Sequence, residues 1–193
     1  MIRIATENDL PEILEIYRPY VEAGTASFEY VTPDMAEFTH RFRQITVQYP
    51  WIVWEEAGEV LGYAYGSAFK GRAGYNWCAE TSIYVRGDCH GRGIGKKLYE
   101  ALEKLLFAQG YEVLYAIITD ENEGSIKFHR VLGYEQVAHL PDCGWKFGRH
   151  LGIVYLEKRV VFGNSPSENP VPWCQFVKND GNLDAILDIL PLS

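Results

Sequence analysis

A mixed α/β fold, with helices packed on one central sheet, is predicted by three features of the sequence. Strand-like runs and amphipathic stretches succeed one another in the order β-α-α-β-β-β-α-β-α-β-β. The length, 193 residues, falls within the roughly 100 to 200 expected of a single domain. Apolar residues make up 47% and charged residues 23%, enough for one core and far from the composition of a disordered or collagen-like chain.

The elements can be read in order. Residues 2–5 form a short strand, and Thr6 with Asp9 makes a capping-box-like start to a helix on which Leu10, Ile13, Leu14 and Tyr17 share a face. Thr32-Pro33 opens a second helix with proline at its first position; Met35, Phe38, Phe42, Ile45 and Tyr49 are its stripe, and it ends before Pro50. The runs 51–56 and 60–69 flank Ala57-Gly58 as a hairpin, and 77–85 is a further strand. Gly91-Arg92-Gly93-Ile94-Gly95 then leads into a helix carrying Ile94, Leu98, Leu102, Leu105 and Leu106, stopped by Gly110. Residues 111–118 read as a buried strand, 123–132 as a helix closed by Gly133, and 134–140 and 152–161 as two more strands. Past Val160 the chain turns rich in Gly, Asn, Ser and Pro, which predicts a domain over 1–160 and a C-terminal extension over 161–193. Within the extension, 173–177 is expected as a short strand, and Leu183, Ile186, Leu187 and Leu190 as one face of a helix.

Several function classes are disfavoured at this level. The longest apolar run, Val113 to Ile118, is far below the ~20 residues of a membrane span. The start of the chain lacks the apolar stretch of a secretory signal, so a cytoplasmic protein is expected. Cys78, Cys89, Cys143 and Cys174 make no CxxC pair, so free thiols and no metal site are expected. A net charge of −8 disfavours nucleic acid and anionic membranes as partners. Against that background Arg86, Arg92, Lys96 and Lys97, opposed by Asp88 alone, form a basic island suited to a small anion. The glycine-rich turn beside it would converge backbone N–H groups on such an anion, with ~0.3 to 1 kcal/mol from the helix dipole. A P-loop is excluded by His90 and Lys97, where glycine and a hydroxyl residue are needed, and a dinucleotide fingerprint fails at Lys96 or Leu98.

The segment from Ile83 to Gly95 resembles motif A of the Gcn5-related N-acetyltransferases (GNATs), with His90-Gly91-Arg92-Gly93-Ile94-Gly95 standing where the usual loop is Gln/Arg-x-x-Gly-x-Gly/Ala. His90 departs from the pattern at its first residue. Asn122 to Tyr134 is similar to the family's motif B, Asn-x-x-Ser/Ala followed by a helix and Gly-Phe/Tyr. Within the family the chain looks most like the phosphinothricin acetyltransferase branch. The carriers are Tyr49-Pro50-Trp51, Phe69-Lys70-Gly71-Arg72, Tyr75-x-Trp77-x-Ala79-Glu80, Phe128-His129-x-x-Leu132-Gly133-Tyr134 and Gly144-x-Lys146-Phe147-Gly148. The likeness covers about residues 1–160.

That resemblance implies a GNAT fold, a mostly antiparallel twisted sheet of about seven strands flanked by about four helices. It implies acetyl-CoA as cosubstrate and direct attack by the amine of a small amino-acid-like substrate such as phosphinothricin or methionine sulfoximine. An α-amino group has a pKa of ~8 and must lose a proton before it attacks. Glu80 stands at the family's base position, and His129 at the position of the proton donor to the leaving thiolate. Main-chain groups of Ile83, Tyr84 and Val85, on a bulged strand, would meet the pantetheine arm and the thioester oxygen. His90, Gly91, Arg92, Gly93, Ile94, Gly95 and Lys96 would hold the pyrophosphate, and Asn122 and Ser125 the far side of the cofactor. Arg72 would grip the acceptor's anionic group as a bidentate fork, with Phe28, Trp77 and Lys146 lining the pocket. Gly152 stands where the family usually has Asp, which points to a different acceptor, and a homodimer is expected by analogy. Read without the resemblance, Glu80 is an acid paired with a nearby cation, His129 a satisfied core histidine, and Phe28 and Trp77 core aromatics. Cys78 reads as a small buried thiol. The alternative function is a noncatalytic acyl-CoA-binding or sensing module.

Overall fold

The computed structural model describes residues 1–160 and 168–179. A seven-stranded sheet in the order β1-β2-β3-β4-β5-β7-β6 forms the centre. Its strands are β1 (Ile2–Ile4), β2 (Trp51–Glu56), β3 (Glu59–Ala68), β4 (Cys78–Val85), β5 (Val113–Thr119), β6 (Glu135–Lys146) and β7 (Arg149–Arg159). The pairings are antiparallel except β4 with β5, which is parallel. Helices α1 (Leu10–Glu22) and α2 (Met35–Gln48) cover one face, and α3 (Ile94–Gln109) and α4 (Glu123–Val131) the other. The central strands are buried on both sides: Trp51 and Val53 join the cluster under α1 and α2, whereas Ile52 joins the cluster under α3.

Local chemistry explains the boundaries. Asp9 accepts hydrogen bonds from the Thr6 N–H and hydroxyl (2.7 and 3.0 Å) and is gripped by both terminal nitrogens of Arg3, and a short 3₁₀ turn over Glu7–Asp9 delays α1 to Leu10. The second helix starts at Met35 rather than at Pro33, because the Asp34 carboxylate accepts from the Glu37 N–H at 2.8 Å and is the true cap. The last hairpin is longer than the sequence predicts. Leu140-Pro141-Asp142-Cys143-Gly144 reads as a break, but the ladder absorbs it as a register shift with Asp142 at φ +52°, and the chain reverses at Phe147-Gly148, both with positive φ.

The strand expected at 173–177 is instead a helix, α5 (Trp173–Asn179), the fifth α-helix among the described residues. Pro172 starts it: its carbonyl accepts from the N–H groups of Gln175 and Phe176. Trp173 and Phe176 stack at 5.8 Å and sink into the α3-side core, 4% and 6% exposed, an i, i+3 pair that a strand would separate onto opposite faces. The linker residues 161–167 and the helix expected around Leu183 to Leu190 lie outside the described residues. No helix among the described residues is long and apolar enough to cross a membrane. Trp173→Ala should cost about 3 kcal/mol of stability, read as a lower urea midpoint with an unchanged m-value.

Candidate active site

The site originates where β4 and β5 part. Their parallel ladder pairs only Cys78, Ala79 and Glu80 with Val113, Leu114 and Tyr115. Beyond Glu80, β4 stays in regular register with β3 as far as Val85, and beyond Tyr115, β5 stays with β7 as far as Thr119. The two strands therefore splay into a V. The opening comes from the lost partner and not from a bulge in β4, as the resemblance had implied.

A cavity of about 760 Å³ fills the V. Thr81, Ser82, Ile83, Tyr84 and Val85 form one wall and Ala116, Ile117, Ile118 and Thr119 the other; residues of both side-chain parities line it because the gap passes through the sheet. Arg86 N–H donates to Leu61 O on β3, so the antiparallel alternation turns the main-chain groups of Ile83 and Val85 toward the gap and those of Tyr84 toward β3. Val85 O accepts from the Tyr20 hydroxyl at 2.5 Å, and His90 Nε2 lies 3.0 Å from both that carbonyl and the Tyr20 oxygen. His90 thus ties the cofactor-loop candidate to α1 and to the end of β4, a use the motif pattern does not contain.

Gly91 and Gly93 adopt φ of +77° and +79°, a conformation cheap only for glycine. They deliver the chain to the N-terminus of α3, where no side chain caps the first turn. The uncapped amides of that turn, opening on the same cavity through Gly93, Ile94, Gly95 and Lys96, fit a diphosphate. The basic island is mostly neutralised from within. Arg92 pairs with Glu56 at 2.6 Å and does not line the cavity, Arg86 pairs with Glu59 and Asp88, and Lys97 lies over the Trp54 ring. Lys96 remains at the cavity, with a loose contact to Glu100 at 3.7 Å. Asn122 and Ser125 line the opposite rim; Asn122 Oδ1 accepts from the Ser125 N–H at 3.1 Å and caps α4.

Glu80 sits at the vertex of the V, on the last rung before the strands separate. It shares parity with Ser82 and Tyr84 and is half-buried, and among the described residues its carboxylate makes no hydrogen bond or ion pair. Burial pushes its carboxyl pKa above the ordinary value, with the Lys70 charge opposing. The reading of Glu80 as a paired structural acid is therefore not supported.

His129 lines the cavity but is 3% exposed. Its Nδ1 lies 2.7 Å from Ser125 O, an acceptor, so Nδ1 carries the proton, and Nε2 accepts from the Tyr99 hydroxyl at 2.9 Å. Tyr99 also contacts the Thr81 hydroxyl at 2.5 Å. Burial lowers the imidazole pKa to about 4. With both nitrogens committed and the ring neutral at pH 7, the geometry does not suit the general-acid role expected of it.

The four acceptor-side candidates do not gather at the cavity. Lys146 is 2% exposed, and its three N–H groups go to Val21 O, Gly24 O and Ser27 O at 2.6, 2.8 and 2.6 Å. It pins the α1–α2 loop and has no donor left for a ligand. The Phe28 ring packs against Gly144, on the same loop. Trp77 donates its Nε1–H to Glu168 O at 2.8 Å. Arg72 is exposed, with no side-chain hydrogen bond among the described residues. Gly152 also has a physical account: a Cβ there would overlap the Asp120 carboxylate and meet Leu140 O at 3.0 Å. Asp120, held 3.0 Å from His139 Nε2, occupies the space beside position 152, away from the cavity lining. Sequence reasoning missed Tyr20 and the β5 wall. Nothing local marks Tyr20, but the wall follows once 77–85 and 111–118 are paired as parallel neighbours.

The family assignment rests on comparison as well as on this geometry. Residues 2–153 match the acetyltransferase (GNAT) domain family. The chain belongs to the GNAT acetyltransferases. It is 40% identical over 161 residues to an L-methionine sulfoximine/L-methionine sulfone acetyltransferase of Pseudomonas aeruginosa, covering 81% of this chain and 92% of that one. It is 33% identical over 166 residues to a phosphinothricin N-acetyltransferase of Alcaligenes faecalis, covering 85% and 84%. A Sinorhizobium meliloti phosphinothricin acetyltransferase, solved in complex with acetyl-CoA, superposes with a TM-score of 0.85 at 37% identity, over 90% of this chain and 96% of that one. This GNAT chain is thus an acetyl-transferring enzyme, and acetyl-CoA is the donor its family uses.

The buried histidine of this GNAT predicts a pH signature. The unfolded state binds a proton near pH 6.5 and the folded state only near 4, so the unfolded state holds more protons between those values. Stability should be complete above pH 6.5 and fall, by on the order of 3 kcal/mol in all, as pH drops toward 4. Urea titrations across that range should show the slope in the parent and lose most of it in His129→Gln.

Proposed function

We propose that this enzyme transfers the acetyl group of acetyl-CoA to the α-amine of a small amino-acid-like substrate of the phosphinothricin or methionine sulfoximine type, with Glu80 as the base. The observation that carries the reading is the unpaired, half-buried carboxylate at the vertex of the V. Burial brings its pKa closer to that of the amine it must deprotonate, and the lack of a competing cation contact leaves it free to accept a proton, directly or through a water. The substrate class is supported by the 33–40% identity to enzymes named for those substrates.

Acetyl-CoA supplies an activated thioester whose departing thiol has a pKa near ~8.5, as for a cysteine. Such a thiolate leaves near neutral pH without an obligatory acid, so the neutral His129 serves as a fixed wall, oriented by Tyr99 and Ser125. Ile83, whose main-chain groups face the gap, offers them to the pantetheine amides and to the developing oxyanion. The amides at the start of α3, with Lys96, hold the pyrophosphate, and Asn122 and Ser125 flank the arm from α4. On the acceptor side Arg72 and Lys70 provide cations for a carboxylate or phosphinate.

We also infer a homodimer formed through the last hairpin. The edge strand β6 and the adjoining loop expose Val137, Leu140, Trp145, Phe147, Tyr30 and Val31, apolar surface of the kind that a second copy covers.

Glu80→Gln should lower kcat by about 10² to 10⁴ while leaving the affinity for acetyl-CoA unchanged. In the parent, kcat/KM should fall as the pH drops through a pKa above 4.5, and that limb should vanish in the variant. Thiol release followed across phosphinothricin, methionine sulfoximine and related amines is the direct assay; no turnover with any of them would refute the substrate class. Light scattering should return twice the 22.0 kDa chain mass, and Trp145→Glu should return the monomer.

A further inference from the structure

We propose that the C-terminal segment 168–179 is a strap that positions the acceptor-side loop between β3 and β4, so that an element outside the matched GNAT domain helps determine acceptor affinity. The proposal rests on the reading that this loop presents Arg72 to the acceptor.

The loop from Lys70 to Asn76 is exposed at every residue, and an exposed loop is held only by its few anchors. Among the described residues its side-chain hydrogen bonds beyond itself, counting Trp77 at its end, both go to the strap. Asn76 Nδ2 donates to Asn169 Oδ1 at 3.2 Å, and Trp77 Nε1 donates to Glu168 O at 2.8 Å. The strap is in turn fixed to the body of the domain. Val171 N–H donates to Gln109 O, and the buried Gln109 amide returns a bond to Val171 O at 2.7 Å while holding Gln48 O at 3.0 Å. Next to that clamp, Pro170 is buried against Gly110, and Trp173 and Phe176 sit in the core.

The chain of contacts therefore runs from the C-terminal ends of α2 and α3, through residues 169–171, to the loop that carries Arg72. A guanidinium that must meet a carboxylate with two parallel bonds is sensitive to small displacements of its loop. The matched family domain ends at residue 153, so these restraints come from outside it. None of the strap's described residues lines the cavity in the V, which separates its effect from cofactor binding.

The test uses the full chain with Trp77→Phe combined with Asn169→Ala, which removes both bonds and keeps the core anchors. Amide hydrogen exchange over 70–77 should speed up, acetyl-CoA affinity should stay unchanged, and the KM for the preferred amine should rise about 2- to 10-fold, the range for losing one or two such bonds. Asn169→Asp alone, which retains an acceptor oxygen, should behave as the parent. Unchanged exchange over 70–77 would overturn the strap itself, and faster exchange with unchanged KM would overturn its role in acceptor affinity. A parent that acetylates none of the amines refutes the proposed substrate class and with it the acceptor role, while the exchange measurement still decides whether the strap exists.

Discussion

The separation of two parallel strands after a single shared stretch governs the rest of this structure. Where β4 and β5 stop pairing, each loses a ladder partner in the interior, and unpaired backbone groups there are costly unless something else satisfies them. Tyr20 and His90 meet one of the exposed carbonyls, at Val85. The remaining amide-lined gap has the shape and polarity of an extended, amide-bearing ligand. The uncapped start of α3 opens on the same gap, so one interruption of the sheet joins an anion site to a groove, with Glu80 on the last rung before the strands part.

Charge is distributed so that Glu80 stays distinct. Around an acidic chain of net −8, most arginines are spent on neighbouring carboxylates: Arg3 on Asp9 and Glu55, Arg41 on Glu29 and Glu37, Arg92 on Glu56. Exposed pairs of this kind contribute little stability, and none of these arginines lines the cavity. Lys146 takes a different route, with its ammonium caged by three carbonyls at the end of α1 and in the following loop, where a helix C-terminus favours a cation. That cage helps fix the loop bearing Ala26, which reaches the cavity.

Exchanges across space matter as much as motifs along the chain. Position 152 lacks the family's usual aspartate, yet the carboxylate of Asp120 fills the adjacent space, and glycine at 152 is what admits it. Gly152 is therefore a packing partner of Asp120. The tail likewise looked like an appendage by composition, whereas Trp173 and Phe176 make it part of the core.

The sequence by itself determined the layered α/β order and the helix at Ile94–Gln109 with its glycine entrance, because periodicity, capping chemistry and left-handed glycines are local properties, whereas Glu80 was singled out only by the family resemblance. Tertiary structure alone decided which candidates are available to a ligand. Lys146 and Trp77 carry the right functional groups, but their donors are consumed by carbonyls 119 and more residues away for the lysine and 91 away for the tryptophan. His129 keeps its position in the cavity, but burial holds the ring neutral and its one proton is committed to Ser125 O. Whether a polar side chain is free depends on what folding brings against it, and no spacing along the chain encodes that.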